Sequence, residues 1–253
     1  SIRRQRQMCI RDRFDGNVED LSSLCEQNGC SLEEPPGLKE IPLSTDDWPY
    51  LYNEDKGIPF SYLIVLVIVI VIAWRGMKAV YPDAKQINWH FFFLGGAFLL
   101  IEFKIITELA LLFGSTWLVN AIAVSMVLIM VLVSNLIVDH TQRIDRKWLY
   151  IGLVITLVIS YITPIENLLG YDLWIRASLT LLVMGLPLLF AAAIFAVSIK
   201  EISDVTEAFA SNFFGSAVGG VLEYSAMAFG IKSLYLFGAL LYLASWVTRP
   251  SSN

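Results

Sequence analysis

From Pro59 onward the chain alternates long apolar runs with short polar breaks. The first run, Pro59–Trp74, extends through Ala79 and Val80, with Arg75 and Lys78 at its exit. The second is Trp89–Phe113 and the third Trp117–Val138. The fourth, Trp148–Thr163, stops at Pro164; the fifth, Trp174–Ile199, contains Pro187. The sixth runs from about Val205 to Phe229 and the seventh from about Ile231 to Val247. Soluble strands do not reach such lengths, and each run has about the 17–25 residues that a ~30 Å hydrocarbon slab requires. The pattern predicts an all-α integral membrane protein, a bundle of about seven transmembrane helices with a short irregular N-terminal tail. Gly114-Ser115-Thr116 is so short a break that the second and third helices must be antiparallel. Pro187 predicts a kink in the fifth. Trp74, Trp89, Trp117, Trp148, Tyr150, Tyr161, Tyr171, Trp174 and Trp246 all fall near run ends. That is the placement expected of an interfacial belt.

Composition agrees: 56% of residues are hydrophobic and 16% charged, against about 25% charged in soluble domains. The residues before the first run differ. Positions 14–58 hold eleven Asp/Glu and only two Lys, with turn signals at Pro35-Pro36-Gly37, Pro42 and Thr45-Asp46-Asp47-Trp48-Pro49. Such a stretch cannot bury a core and reads as an acidic linker or the remnant of a lost soluble domain. Ser1–Arg13 resembles translated sequencing adapter and is set aside as an artefact. The expected organisation is therefore 1–13 artefact, 14–58 acidic linker or remnant, and 59–248 transmembrane domain. Cys9, Cys25 and Cys30 lie outside the apolar runs, and an odd count of three gives no disulfide framework. No basic stripe points to a nucleic-acid partner.

The basic residues set an expected topology. Arg75, Lys78, Lys85, Arg143, Arg146, Lys147, Lys200 and Arg249 fall on one face of the predicted bundle; Lys56, Arg176 and Lys232 fall on the other. The richer face belongs in the cytoplasm of a bacterial inner membrane, which puts the N-terminal tail outside.

Candidate chemistry lies inside the runs. The second carries Glu102, Lys104 and Glu108. A charge at a helix centre costs about 2.5–3.5 kcal/mol, against about −0.3 to −0.6 kcal/mol for each Leu, Ile or Phe. Three charges bring this helix near zero, so it needs partners, with its charges turned inward. Lys104 sits too deep, roughly 14 Å from the nearer end, for its stem to reach the interface. Lys104 and Glu108 are four apart and can pair within the helix. Glu102 points about 120° away from Glu108 and needs another partner. In the sixth run Asn212, Ser216, Gly219 and Glu223 form one stripe, and Gly215/Gly219 and Ser216/Gly220 are small-xxx-small pairs that let helices approach closely. This stripe is the expected neighbour of the second run's charges. Asn120 and Asn135 add polar groups near the ends of the third run. His90 and His140 flank helices and are expected at the interface, without metal-ligand spacing. No phosphate-binding loop and no catalytic triad or dyad is discernible; no catalytic or metal-binding residue and no cofactor is expected in this fragment.

Phe91–Val138 resembles the membrane region of bacterial spermidine synthase-like fusion proteins. Glu207–Ala244 is similar to the last two helices of that family. Ser44–Tyr52, STDDWPYLY, resembles the segment that closes the family's soluble domain. The resemblance implies a C-terminal membrane module of a polyamine aminopropyltransferase-like parent whose soluble domain uses decarboxylated S-adenosylmethionine. The nucleotide-binding part and the acidic catalytic positions are missing here. The resemblance also implies a cytoplasmic enzyme domain, whereas the charge count puts the tail outside; the two expectations conflict.

Three functions follow as expectations. The module anchors or regulates an appended aminopropyltransferase-like domain, in which case its buried charges pair and no solvated cavity adjoins them. Alternatively it transports a small cationic solute such as a polyamine on Glu102, Glu108 and Glu223, with a wet cavity touching the second and sixth runs. Or it is a structural subunit that pairs through the sixth run. The expected partners are thus the lipid bilayer, an appended soluble domain and a small cationic solute.

Overall fold

The computed structural model describes residues 45, 47–50, 56–82, 87–114, 117–141, 144–163 and 165–249. The adapter-like start, most of the acidic tail, the three cysteines, Asp46, Lys85 and Arg143 lie outside the described residues.

The helices coincide with the apolar runs: α1 Phe60–Val80, α2 Trp89–Phe113, α3 Trp117–His140, α4 Arg146–Ile162, α5 Leu173–Glu201, α6 Val205–Leu222, α7 Ala226–Phe229 and α8 Ser233–Thr248. A 3₁₀ helix, Ile165–Gly170, separates α4 from α5, and a 3₁₀ turn, Glu223–Ser225, joins α6 to α7. Residues through that junction keep right-handed helical dihedrals, so α6 and α7 form one continuous helical segment. The described residues contain no strand; their one β-bridge joins Thr45 to Trp48.

The fold is all-helical, and α1, α3 from Val119, and α5 are long and apolar enough to cross a membrane on length and composition alone. This narrows the expectation of about seven spans. α2 carries three charges, while α4 and α8 are short. Large apolar side chains stand exposed along α1, α3 and α4, among them Val67, Ile72, Leu128, Leu132 and Val154. Hydrocarbon suits such a surface; water does not.

The starts of α4 and α6 are capped by aspartates. The Asp145 carboxylate accepts from the Lys147 N–H at 2.9 Å, and the Asp204 carboxylate accepts from Glu207 N–H at 3.0 Å. Both satisfy donors that a helix start otherwise leaves orphaned. Gly114 ends α2 with φ +89°, a dihedral that only glycine takes at little cost.

Helix α2 is the hub. It packs most extensively on α6 and α8, and also touches α3 and α5. The contact with α6 is parallel: Phe92 meets Gly215, Gly96 meets Gly219, and Leu99 meets Gly220. The backbones themselves touch, because a methyl on Gly219 would lie 2.6 Å from the Gly96 carbonyl oxygen. The contact with α8 is antiparallel, His90 meeting Ser245 and Glu108 meeting Tyr235. α1 packs antiparallel on α6, with Tyr62 near Tyr224 and Trp74 near Phe214. α3 and α5 are parallel, while α4 and α5 are antiparallel.

Pro187 lies inside α5, which continues through it. Proline donates no hydrogen bond, so the Val183 carbonyl four residues earlier loses its helical partner. Ser160 Oγ on α4 donates to that carbonyl at 2.7 Å. The carbonyl that Pro187 leaves without a helical partner is thus satisfied by a neighbouring side chain, as a dry interior requires.

The glycine seam gives the first prediction. Gly219→Val forces α2 and α6 apart and is expected to destabilise by about 1–3 kcal/mol or more. Gly76→Ala, with open space around it, is expected to be neutral. Thermal unfolding of the two purified variants in detergent separates them.

Candidate functional site

The charges of α2 divide by face. Lys104 and Glu108, four residues apart, form an ion pair at 2.6 Å with both side chains about 96–97% buried. Tyr235 of α8 donates its hydroxyl to the second oxygen of Glu108 at 2.7 Å. The Lys104 ammonium lies 5.4 Å from the Tyr235 ring centre. Both Glu108 oxygens are therefore engaged. The pair turns toward α8, not toward α6, which corrects the expected neighbour. The face toward α6 is occupied by glycine backbone, leaving no room for charged side chains.

Glu102 and Glu223 are half-buried, and neither has a hydrogen bond or ion pair among the described residues. The expectation that they find polar companions across the α2–α6 contact is not met. Asn212 Nδ2 donates to the Phe91 carbonyl at 3.3 Å, and Ser216 Oγ lies against Gly95. Gly215 and Gly219 are buried and Gly220 half-buried along that seam. Asn120 is exposed, and Asn135 is exposed beside a cavity.

Two cavities flank the hub. One of about 470 Å³ lies beside the Lys104–Glu108 pair, walled by α2, α4 and α8 and covered by Thr45 and Asp47. Its rim residues Thr45, Tyr161 and Lys232 are exposed. The other, of about 700 Å³, lies toward the opposite end between α2, α3, α5 and α6. Its walls are mainly apolar, with Asn135, Asn212, Ser216 and Tyr242 as polar points and the charged Asp139 and Lys200 also in the lining. Neither is lined by Glu102 or Glu223.

The cover over the smaller cavity is a clasp formed by the residues that precede the bundle. Trp48 is 3% exposed, and its indole N–H donates to the Met227 carbonyl at 2.7 Å. The Asp47 carbonyl accepts from Ile231 N–H at 2.8 Å, and its carboxylate accepts from Lys232 N–H at 2.7 Å. The carboxylate thereby caps the start of α8, where the helix dipole favours negative charge. Gly230 has φ +85°, and a methyl there would meet the Asp47 carboxylate at 2.5 Å. Tyr50 packs on Leu100, Ala226, Ile231 and Leu234. Burial, then the charges of Glu223 and Asp47, push its phenol up from the ordinary value.

At the other end stands a second polar cluster. His90 is 1% exposed; its Nδ1 lies 2.8 Å from the Ser245 carbonyl and its Nε2 2.9 Å from Ser198 Oγ. Tyr150 Oη lies 2.7 Å from Ser245 Oγ. His90 and Tyr150 are thus buried cross-helix ties between α2, α4, α5 and α8, not the interfacial residues expected. Hydrogen bonds from three helices, invisible in a linear pattern, draw them inward. His140 is exposed at the end of α3, and Trp74, Trp89, Trp117, Trp148 and Trp174 are exposed near helix ends. Arg176 donates to the Leu112, Leu169 and Tyr171 carbonyls, tying the end of α2 to the 3₁₀ turn.

Sequence reasoning did not single out Tyr235 or Ser160. Each sits in an apolar run where an aromatic or a small hydroxyl is ordinary, so no periodic signal marks them. Asp47 was noticed only within a short motif. Among the described residues no cluster of metal-ligating side chains occurs. Compared with protein-family models, curated proteins and solved structures, the chain matches none.

Removing one member of a buried ion pair strands the other, typically at about 3–5 kcal/mol. Lys104→Met and Glu108→Leu should each cost about that much, while the double replacement should cost less than either alone. A double-mutant cycle on unfolding midpoints reads this coupling.

Proposed function

We propose that this chain is the multi-pass membrane module of a spermidine synthase-like fusion protein, holding the appended aminopropyltransferase-like domain at one membrane face. The observation that carries the reading is the clasp. The residues leading from the tail into the bundle do not run free to α1. Asp47 and Trp48 are bonded to the α7–α8 turn, 179–185 residues away in sequence, so the chain is held on the bundle at these two residues before it reaches α1. The resemblance of STDDWPYLY to the segment closing that family's soluble domain supports the same role for these residues.

Seven membrane crossings are proposed with it. Each helix pair in contact has the relative direction that alternate crossing demands: α2 and α6 parallel, α3 and α5 parallel, α1 and α6 antiparallel. The charged α2 is shielded by α6 and α8, and so does not meet lipid with its ion pair. Arg75, Lys78, Arg146, Lys147, Lys200 and Arg249 lie at the end opposite the clasp. Positive-inside bias supports that end in the cytoplasm of a bacterial inner membrane and the clasp on the far face. The cavity beside the Lys104–Glu108 pair departs from the dry surroundings expected of a pure anchor; transport of a cationic solute still draws less support, because both Glu108 oxygens already have partners and Glu102 and Glu223 line neither cavity.

Two measurements test this reading. With the native cysteines replaced by serine, single cysteines at Lys56, Asp172 and Lys147 are labelled by an impermeant maleimide in intact cells. Lys56→Cys and Asp172→Cys are expected to react together and Lys147→Cys only after lysis. Labelling of all three from outside would sink the crossing pattern. For the joint, Trp48→Ala should free the clasp, since truncating a buried Trp costs about 3–5 kcal/mol. Limited proteolysis between residues 50 and 59 should then speed up at least tenfold; an unchanged rate would mean the clasp holds nothing.

A further inference from the structure

We propose that the chamber beneath the clasp, between α2, α4 and α8, binds a small zwitterion carrying one carboxylate and one ammonium group. This goes beyond anchoring and stands whichever domain precedes the clasp.

The first observation is an unfinished lysine. A lysine ammonium has three N–H donors. Lys104 is buried; among the described residues its ion-pair partner is Glu108, and its ammonium also faces the Tyr235 ring. Among the described residues two of its donors have no hydrogen-bond acceptor, and Lys104 lines the chamber. A buried ammonium with open donors calls for acceptor atoms in the space beside it. Glu108 already meets one of these donors with one oxygen and Tyr235 with the other.

The second observation is on the opposite wall. Asp47 lines the same chamber and uses one carboxylate oxygen on the Lys232 N–H. Its other oxygen has no hydrogen-bond partner among the described residues. That oxygen can accept from an ammonium group.

Charge then selects the ligand class. The chamber is lined by two carboxylates, Glu108 and Asp47, and two ammonium groups, Lys104 and Lys232. A lone cation gains Asp47 and leaves the donors of Lys104 unmet. A lone anion meets Lys104 but faces Asp47 without compensation. A zwitterion with its carboxylate on Lys104 and its ammonium on Asp47 serves both walls and leaves the chamber neutral. At about 470 Å³ the space falls in the usual range of small-molecule sites. Leu111, Leu112 and Leu169 give its walls an apolar strip for a short carbon chain. Because Asp47 belongs to the clasp and Lys104 to the bundle, the same ligand ties one to the other.

The test uses the full chain in detergent and compares β-alanine, 4-aminobutyrate and 6-aminohexanoate with butylamine and butyrate at equal ionic strength. At least one amino acid is expected to raise Tm by about 3 °C or more at saturation and to slow proteolysis between residues 50 and 59, while butylamine and butyrate do neither. Asp47→Asn keeps an acceptor for the Lys232 N–H but removes the charge, and should abolish the shift with the fold intact. The Lys104→Met/Glu108→Leu double variant avoids a stranded charge and should lose the shift too. An equal shift with butylamine alone would make this a cation site and overturn the proposal. No shift with any amino acid would mean that water alone fills the chamber, and would overturn it as well.

Discussion

A buried charge must find its partner within the protein, and helix α2 is where this constraint is most severe. Its Lys104 and Glu108 side chains are about 96–97% buried. They satisfy each other, and Tyr235 of α8 completes the carboxylate. That arrangement requires α8 against one side of α2 in a single register, antiparallel, with Tyr235 opposite Glu108. The clasp follows from it, because the start of α8 that Asp47 caps lies just beyond Tyr235. The ion pair, the α8 register and the docking of the residues before α1 are thus consecutive consequences of one buried lysine.

The opposite side of α2 obeys a different rule. In lipid no hydrophobic gain drives helices together, so close packing and satisfied polar groups must do so. Gly95 and Gly96 on α2 and Gly215 and Gly219 on α6 remove the side chains and let backbones touch. The price of that closeness is that nothing large fits between the two helices, which is why the charges go to α8. Ser160 plays the complementary part where Pro187 breaks a backbone bond: it fills the vacancy from a neighbouring helix. At the other end His90, Ser198, Ser245 and Tyr150 do the same for four helices at once. Each polar side chain in these places is explained by a partner on another element.

Trp48 is buried against the α7–α8 turn, so the residues just before α1 are held on the bundle. On the two proposals made above, anchoring and ligand binding would be two uses of the same clasp and of the chamber beneath it. The conflict between the charge bias and a cytoplasmic enzyme domain turns on which face carries the clasp, a question of orientation that leaves the joint unchanged.

Much of the fold could be read directly from the chain. The apolar runs marked the helices to within a few residues, because a helix that faces lipid must be apolar throughout its length. The i,i+4 spacing of Lys104 and Glu108 and of the small residues on α6 follows from helical geometry, so both features were legible too. Which helix each face meets was not. The period of a helix says which residues share a face but carries no information about the neighbour. The sequence therefore could not show that α6 receives glycine backbone while α8 receives the charges. It could not show that His90 and Tyr150 turn inward or that Asp47 reaches a turn some 185 residues away. Those outcomes depend on long-range packing and on hydrogen bonds that exist only once the helices stand together.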